Sequence, residues 1–404
     1  MITKSLANGI TMADLIRKGR TSYPNVFSPL KIKNIIIPNR IYFSPFGIDN
    51  AYLDGRISKS QENFYIDIAK GGCGLVMLSN CSVSPDSILN PRGLKIFNNG
   101  HSDALSGLVK KMRGLESILG IQLQHYGAQA VTTHSKKDLI SPSGIGCKYY
   151  SKKDDSYKVR VMTIDDIEEV KSRFIHAAVL SANAGVKFIQ LQASNGYLLH
   201  SFISPYTNTR TDIYGGNYHN RIRLLVEIIQ GIKSVLGNSI ILSATVGIND
   251  FLGEDGVTPQ DYQHIMPILE SSGLDLITVS VSIAETFKNI IYRTKETEEK
   301  LHQSIVEIQK YKNNSFPLGF SGFTSSIKSA EHLISSGMAD LVGMGRSIFA
   351  DNNLILKSVD QVENSITRCL WDGNCFKDKS HPFADKVYCC VNSKYKRPDH
   401  IKHY

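Results

Sequence analysis

Side chains able to hold a proton or a carbonyl oxygen gather in the stretch Gln190-Leu191-Gln192-Ala193-Ser194-Asn195-Gly196-Tyr197-Leu198. Strand alternation puts Phe188, Gln190 and Gln192 on one face of that stretch, with Ile189 and Leu191 on the other. The amides of Gln192 and Asn195 can donate to a substrate oxygen, and the neutral phenol of Tyr197 can supply a proton. Such amides as often satisfy their own loop backbone, so the stretch alone does not decide. Gln122, in Ile121-Gln122-Leu123-Gln124-His125, is a second polar residue near a strand end. It can pair with the edge of a heterocycle or serve as a buried structural hydrogen-bonder. Two glycine turns complete the set: Gly319-Phe320-Ser321-Gly322-Phe323-Thr324 and Gly343-Met344-Gly345-Arg346-Ser347. Small residues let backbone N–H groups approach an anion, a helix N-terminus favours it, and Arg346 can clamp a phosphate. Two plain strand-to-helix turns are the alternative. The Gly-x-Gly at 343–345 lacks a third glycine in register, so a dinucleotide fingerprint is absent.

The elements that must position these residues repeat as a helical pattern, a terminating glycine and a short apolar run. One unit opens on Thr163 with Asp166 as capping-box partner, stops at Gly185 and leads into Val186–Leu191. The next spans Tyr218 to Leu236, ends at Gly237 and leads into Ile240–Val246. A third opens with Thr258 as N-cap and Pro259 at the first helical position, ends at Gly273 and leads into Asp275–Ser280. The fourth, Ser326–Ser336, precedes Asp340–Met344. With Arg40–Phe43, Gly74–Leu78, Ile121–Leu123 and Phe316–Phe320, these runs make eight candidate strands, which predicts a single-domain (β/α)8 TIM barrel. A doubly wound sheet is the alternative. A barrel carries its chemistry at the C-terminal ends of its strands, where the polar residues and glycine turns fall.

Composition narrows the function classes. With 404 residues, 42% of them apolar and 21% charged, the chain is neither disordered nor a coiled coil. The balance of 46 basic to 37 acidic residues, a net charge of +9, suits an anionic cofactor or substrate. No dense Lys/Arg run with aromatics announces nucleic acid. Seven cysteines are too few and too uneven for a secreted disulfide scaffold. No signal pattern and no apolar run of about 18 residues is present, which predicts a cytoplasmic protein away from membranes. The zinc-protease, α/β-hydrolase and P-loop signatures are missing. A small-molecule substrate is the expected partner, and a homo-oligomer is left open.

Three blocks of residues resemble a known family. Phe27-Ser28-Pro29-Leu30-Lys31-Ile32-Lys33-Asn34 followed by Asn39-Arg40 is one. Ser204-Pro205-x-x-Asn208-x-Arg210-x-Asp212-x-Tyr214-Gly215-Gly216 with Asn220-Arg221 is the second, and Ala339-Asp340-Leu341-Val342-Gly343-Met344-Gly345-Arg346 the third. Together they resemble the old yellow enzyme-type flavin oxidoreductases over about residues 25–393. The resemblance implies an FMN-bearing TIM barrel that takes hydride from NAD(P)H and passes it to an activated alkene. It also implies that Gln122 contacts the flavin pyrimidine and that Ser44 and Pro45 place backbone beside the flavin. Gly322, Gly345 and Arg346 match the phosphate clamp, Tyr197 the proton donor, and Gln192 with Asn195 the pair that receives the substrate oxygen.

Three positions depart from the pattern. Gln192 replaces a histidine and keeps hydrogen-bonding capacity without a cationic form. Gly47 stands where Thr or Cys usually faces the flavin's reactive edge. Thr245 stands where an arginine usually lies against flavin N1, and no Lys or Arg occurs between Ile240 and Asp250. Loss of that cation at low dielectric is worth on the order of a few kcal/mol and predicts a lower reduction potential. The leading reading is an FMN-dependent oxidoreductase acting on a conjugated carbonyl, or running the reverse desaturation. A barrel using FMN for redox-neutral isomerisation or cyclisation comes next, then a non-catalytic binding or regulatory barrel.

Residues 1–25 form a leader with a short helix at Met12–Arg17, 26–360 the barrel, and 361–404 a cysteine-bearing tail packed on it. The leader caps the barrel bottom or reaches a partner subunit. Cys369, Cys375, Cys389 and Cys390 resemble the four-iron segment of larger family members, but Asp372 falls where a further cysteine is expected. Zinc held by three cysteines and His381 is an alternative; free thiols without metal are the expected state. Thr132 to Tyr157 is expected to form a long loop beside the site, its Lys136, Lys137, Lys152 and Lys153 solvated or attracting an acidic substrate.

Overall fold

Eight parallel strands form the frame of the computed structural model, which describes residues 5–135, 138–152, 155–377 and 386–398. In chain order they are β1 (Ile41–Phe43), β2 (Leu75–Ser82), β3 (Ile118–Gln124), β4 (Phe188–Ala193), β5 (Ile241–Gly247), β6 (Leu276–Ser280), β7 (Leu318–Ser321) and β8 (Leu341–Gly343). Each pairs with the next, and β1 pairs with both β8 and β2, so the sheet closes on itself. The chain is a single-domain (β/α)8 TIM barrel. All eight expected strands are present with ends shifted by a few residues, because register with neighbours rather than local apolarity sets where pairing stops.

The helices begin and end where their caps sit. Thr163 and Asp166 form a reciprocal capping box before helix Ile164–Asn183. Asn217 caps Tyr218–Leu236, and Ser326 caps Ile327–Ser335. At Thr258 the capping box is present, but Pro259–Asp261 makes a tighter 3₁₀ turn before the helix Tyr262–Ser271.

Two apolar layers and one polar layer fill the barrel's cross-section. Ile189 and Leu191 face the surrounding helices in the main core. Phe188 points inward with Tyr42, Leu75, Met77, Ile241, Leu276 and Leu341 as a separate bottom core. A hairpin absent from the sequence reading, Leu30–Ile32 with Ile35–Ile37, plugs that bottom with Leu30, Ile32 and Ile37. Above this plug the inward positions turn polar, at Gln122, Gln190, Gln192, Thr245 and Thr278, all buried. A buried polar layer is tolerated only where its groups find partners, so it marks the level at which the barrel stops being core.

The leader helix extends further than expected, over Met12–Ser22. It lies beside the N-terminal ends of the strands, where Met12 Sδ accepts from Asn39 Nδ2 at 3.8 Å just ahead of β1. Its Leu15 packs with Ile355 and Leu356 around Gly72, and Lys18 pairs with Asp360 at 3.6 Å. The stretch after β3 is more than a loop: it holds a short helix, Lys148–Ser151, and a strand pair, Leu139–Ser141 with Val159–Val161. Lys152 there is exposed, while Lys136, Lys137 and Lys153 lie outside the described residues. No helix among the described residues is long and apolar enough to cross a membrane.

Candidate active site

The strand ends open into a cavity of about 980 Å3, within the usual range for small-molecule and cofactor sites. Ser44, Pro45, Gln122, Gln192, Asn195, Tyr197, Thr245, Gly322, Gly345 and Arg346 all line it. Sequence positions as far apart as 44 and 346 converge because β1 and β8 are neighbours in the closed sheet.

Its floor is a connected network of neutral groups. Gln122 Nε2 donates to Gln190 Oε1 at 2.9 Å and approaches Thr245 Oγ1 at 3.3 Å and Gln192 Oε1 at 3.4 Å. Gln190 Nε2 donates to Thr278 Oγ1 at 3.0 Å, and the Thr245 and Thr278 hydroxyls share a hydrogen bond of 2.7 Å. Thr245 is thus part of a Gln–Thr layer, and its rung partners are Gln192 on β4 and Thr278 on β6. No cation enters this layer among the described residues.

Tyr197 stands at the mouth, edge-on to Tyr126 with ring centroids 5.6 Å apart. Burial pushes its phenol up to about 12, the Gln124 amide beside it opposing. The group is therefore a proton carrier across the neutral range. Nearby His125 is held at about 3 by burial and accepts the Gly127 N–H at 3.1 Å, so it cannot share that task.

The expected amide pair divides its roles. Asn195 Nδ2 donates to Val281 O at 3.0 Å, with Ser280 Oγ and Ser282 O each at 3.2 Å. Its Oδ1 accepts from Ser194 Oγ at 2.9 Å. Asn195 therefore ties the β4 turn to the β6 turn and is not free to receive a substrate. Gln192 Oε1 accepts from Ser194 Oγ at 3.0 Å, while its Nε2 has only a 3.5 Å contact with Asn195 Oδ1. Gln192 is the amide left with donor capacity.

Gly47 does not line the cavity; Asn80 does, from the end of β2. A Cβ on Gly47 would come within 2.9 Å of Asn80 Nδ2. A carboxamide from the neighbouring strand thus stands beside Gly47, held through its Oδ1 by the Ser79 hydroxyl. The same logic that marks Gln122, a polar residue at the end of an apolar strand, could have marked Asn80.

Arg346 differs most from expectation. Its guanidinium donates to the carbonyls of Ile291 at 2.5 Å and Ile290 at 2.6 Å, and lies 4.4 Å over the Trp371 ring. Phe323 and Phe376 flank it at 5.4 Å each. The arginine lines the cavity where a phosphate clamp is expected, but two of its donors are committed to backbone. Trp371, which no sequence signal marked, brings the tail into the site.

The arrangement fits a flavin mononucleotide. A Cβ at Gly343 would lie 2.5 Å from Ser44 Oγ and from the Tyr42 ring, and one at Gly322 would strike Phe320 and Leu301. Gly322 and Gly345 line the cavity as bare backbone, which lets an anion approach closely. Ser44 Oγ shares a 2.7 Å hydrogen bond with Ser321 Oγ, which joins the ends of β1 and β7. Gln122 supplies an amide edge for a heterocycle. An anion at the glycine turns competes with Ile290 and Ile291 for Arg346.

In the tail, Cys369 Sγ accepts from Trp371 N and Cys389 Sγ from Asn392 N, both at 3.4 Å. Burial pushes both thiols up, and that of Cys390 to about 11. No group of three or more His, Cys, Asp or Glu is arranged to hold a metal among the described residues, and His381 lies outside them.

Comparison with known proteins gives this geometry its relatives. Residues 25–365 match the NADH:flavin oxidoreductase / NADH oxidase family. A Thermoanaerobacter brockii NADH oxidase is 29% identical over 87% of this chain, which spans 53% of that protein. A Bacillus pumilus NADPH dehydrogenase is 28% identical over 84% of this chain and 96% of its own length. Among solved structures, a 2-naphthoyl-CoA reductase complex superposes with a TM-score of 0.83 at 23% identity. It covers 92% of this chain, which spans 57% of it. An old yellow enzyme homologue from Zymomonas mobilis gives 0.71 at 20% identity, over 86% of this chain and 96% of its own. These structural likenesses speak to the fold. The family match, spanning most of the chain, shows that it belongs to the NADH:flavin oxidoreductase / NADH oxidase family, FMN-dependent NAD(P)H oxidoreductases of old yellow enzyme type.

Proposed function

We propose that the protein reduces the activated C=C bond of a conjugated carbonyl compound with hydride from NAD(P)H, or runs the corresponding desaturation. Tyr197 carries this reading: a half-buried neutral phenol lining the same cavity as Gln192, the amide of the Gln192–Asn195 pair that retains donor capacity. FMN bound in the cavity supplies the hydride exchange between nicotinamide and substrate. Gln122 and Ser44 hold the cofactor's edge and the two glycine turns its phosphate. Gln192 Nε2 polarises the carbonyl oxygen, and Tyr197 delivers its proton to the alkene carbon that does not receive hydride. Asn195 fixes the geometry by tying the two turns.

The substrate side of the cavity is apolar and aromatic. Leu89, Tyr126, Ala130 and Leu139 form a small separate cluster there, with Tyr150, Tyr157 and Tyr197 packed against it. Such walls suit a flat conjugated molecule and exclude water from the proton transfer.

The test is anaerobic spectroscopy of the FMN-loaded protein. Bleaching with NADH or NADPH and recolouring by a cyclic enone are expected. Bleaching without recolouring by any enone overturns the alkene assignment. Turnover of an isomerisable substrate without bleaching favours the redox-neutral reading, which the uncharged Gln122–Thr245–Thr278 floor would suit.

A further inference from the structure

Behind the turn that carries Tyr197 lies a pair of titratable side chains outside the chemistry described so far. His200 and Asp250 are both 0% exposed, with His200 Nε2 3.3 Å from Asp250 Oδ1. Both atoms are buried without a hydrogen-bond partner among the described residues, so the two groups face each other as a close polar contact and not as a formed hydrogen bond. The other ring nitrogen, Nδ1, accepts the Gly196 N–H at 2.8 Å, which places the proton of the neutral imidazole on Nε2, toward Asp250. Asp250 is itself held: its Oδ2 accepts from Ser204 Oγ at 2.7 Å and from Val257 N–H at 2.9 Å. Burial favours the neutral imidazole, with Asp250 opposing.

Two features show that the fold makes room for this pair. Gly247, at the end of β5, could not carry a side chain, since its Cβ would lie 2.5 Å from His200 Nε2. Asn195 and Gly196 both sit in the left-handed region, at φ 60° and 77°. For a residue with a Cβ that conformation is unfavourable, so the turn needs anchors. Asn195 anchors it to the β6 turn, and His200 holds the next peptide by accepting the Gly196 N–H.

We propose that His200, oriented by Asp250, is a positioning residue that fixes the Asn195–Gly196 turn and so sets where the Tyr197 hydroxyl delivers its proton. This rests on Tyr197 being the proton donor of the proposed reaction.

Two substitutions separate the halves of the imidazole. Asn places its Oδ1 near the position of Nδ1 and retains the acceptor for Gly196; Gln places its amide near Nε2 and retains only the reach to Asp250. With FMN-loaded protein, bleaching by NADPH and recolouring by a cyclic enone are timed separately. His200→Gln is expected to slow recolouring at least ~10-fold, the scale of a misplaced catalytic group, and bleaching by less than about twofold. His200→Asn restores most of the recolouring rate. In a Tyr197→Phe background His200→Gln adds less than about twofold, because the group it positions is gone. Backbone amide exchange across residues 190–202, read by mass spectrometry, is faster in His200→Gln than in wild type and near wild type in His200→Asn. Equal losses in the two variants, a parallel fall of bleaching and recolouring, additivity with Tyr197→Phe, or unchanged exchange in His200→Gln would each overturn the proposal. If the wild type never recolours with an enone, the alkene reading fails by itself, and the exchange ranking still decides whether His200 holds the turn.

Discussion

Replacing Tyr197 by Phe removes one oxygen from a ring that packs edge-on to Tyr126, so the cavity wall survives and only the proton is lost. The phenol ordinarily ionises near 10 and here is pushed up to about 12. Its ionised fraction at pH 8 is thus on the order of 10⁻⁴, and the acid is fully loaded throughout the usable range. A positioned general acid contributes roughly 10²- to 10⁴-fold, or about 2.7–5.4 kcal/mol at 1.36 kcal/mol per decade. The recolouring rate of the reduced, FMN-loaded Tyr197→Phe variant with a cyclic enone is expected to fall by that factor, while bleaching by NADPH changes little. The wild-type recolouring rate should be flat from about pH 5 to 9, since His125 is held at about 3 and His200 is kept neutral by burial. The sign for stability follows the same shift. The folded phenol keeps its proton longer than the unfolded one, so its contribution is intact below about pH 10 and is lost as pH rises toward about 12. A variant within twofold of wild type in recolouring, or a wild-type profile breaking near pH 6–7, would refute the assignment of the proton to Tyr197.

Other consequences can be checked separately. Gly47→Thr forces a side chain against Asn80 Nδ2 and should cost about 1–3 kcal/mol by thermal denaturation, a loss that Asn80→Ala in the same chain relieves. Gln122→Leu leaves Gln190 Oε1 without its 2.9 Å donor, at about 1–3 kcal/mol, and is expected to weaken FMN retention on gel filtration. Trp371 is the only tryptophan of the chain and lines the cavity, so its emission should be quenched as FMN is titrated in. Unchanged emission at saturating FMN would place the cofactor away from the Arg346 end. Arg346→Ala should weaken FMN more than free riboflavin, because only the former carries a phosphate; equal losses would leave Arg346 as a latch for the Ile290–Ile291 segment alone.

Much of this molecule is legible along the chain. The capping box at Thr163 and Asp166, the stops at Gly185 and Gly237, and the apolar runs after them locate helices and strands because those signals are local. Gln192 and Gln122 stand out because a polar residue at an inward strand position contradicts its neighbours. Asn80 obeys the same rule, but Ser79 and Cys81 beside it blur the contrast. The hairpin at Leu30–Ile37 was hidden, since short strands stabilised by a distant core leave no periodicity of their own.

Residue type and spacing are enough for the barrel, for the polar residues at its strand ends and for the lack of a cation on β5. Tertiary structure alone decided how those residues share their hydrogen bonds. Asn195 could not be known to spend its amide on the β6 turn, nor Arg346 to donate to Ile290 and Ile291 beneath Trp371. A side chain's type fixes what it can donate, but which partner it meets depends on segments distant in the chain that closure of the sheet brings together.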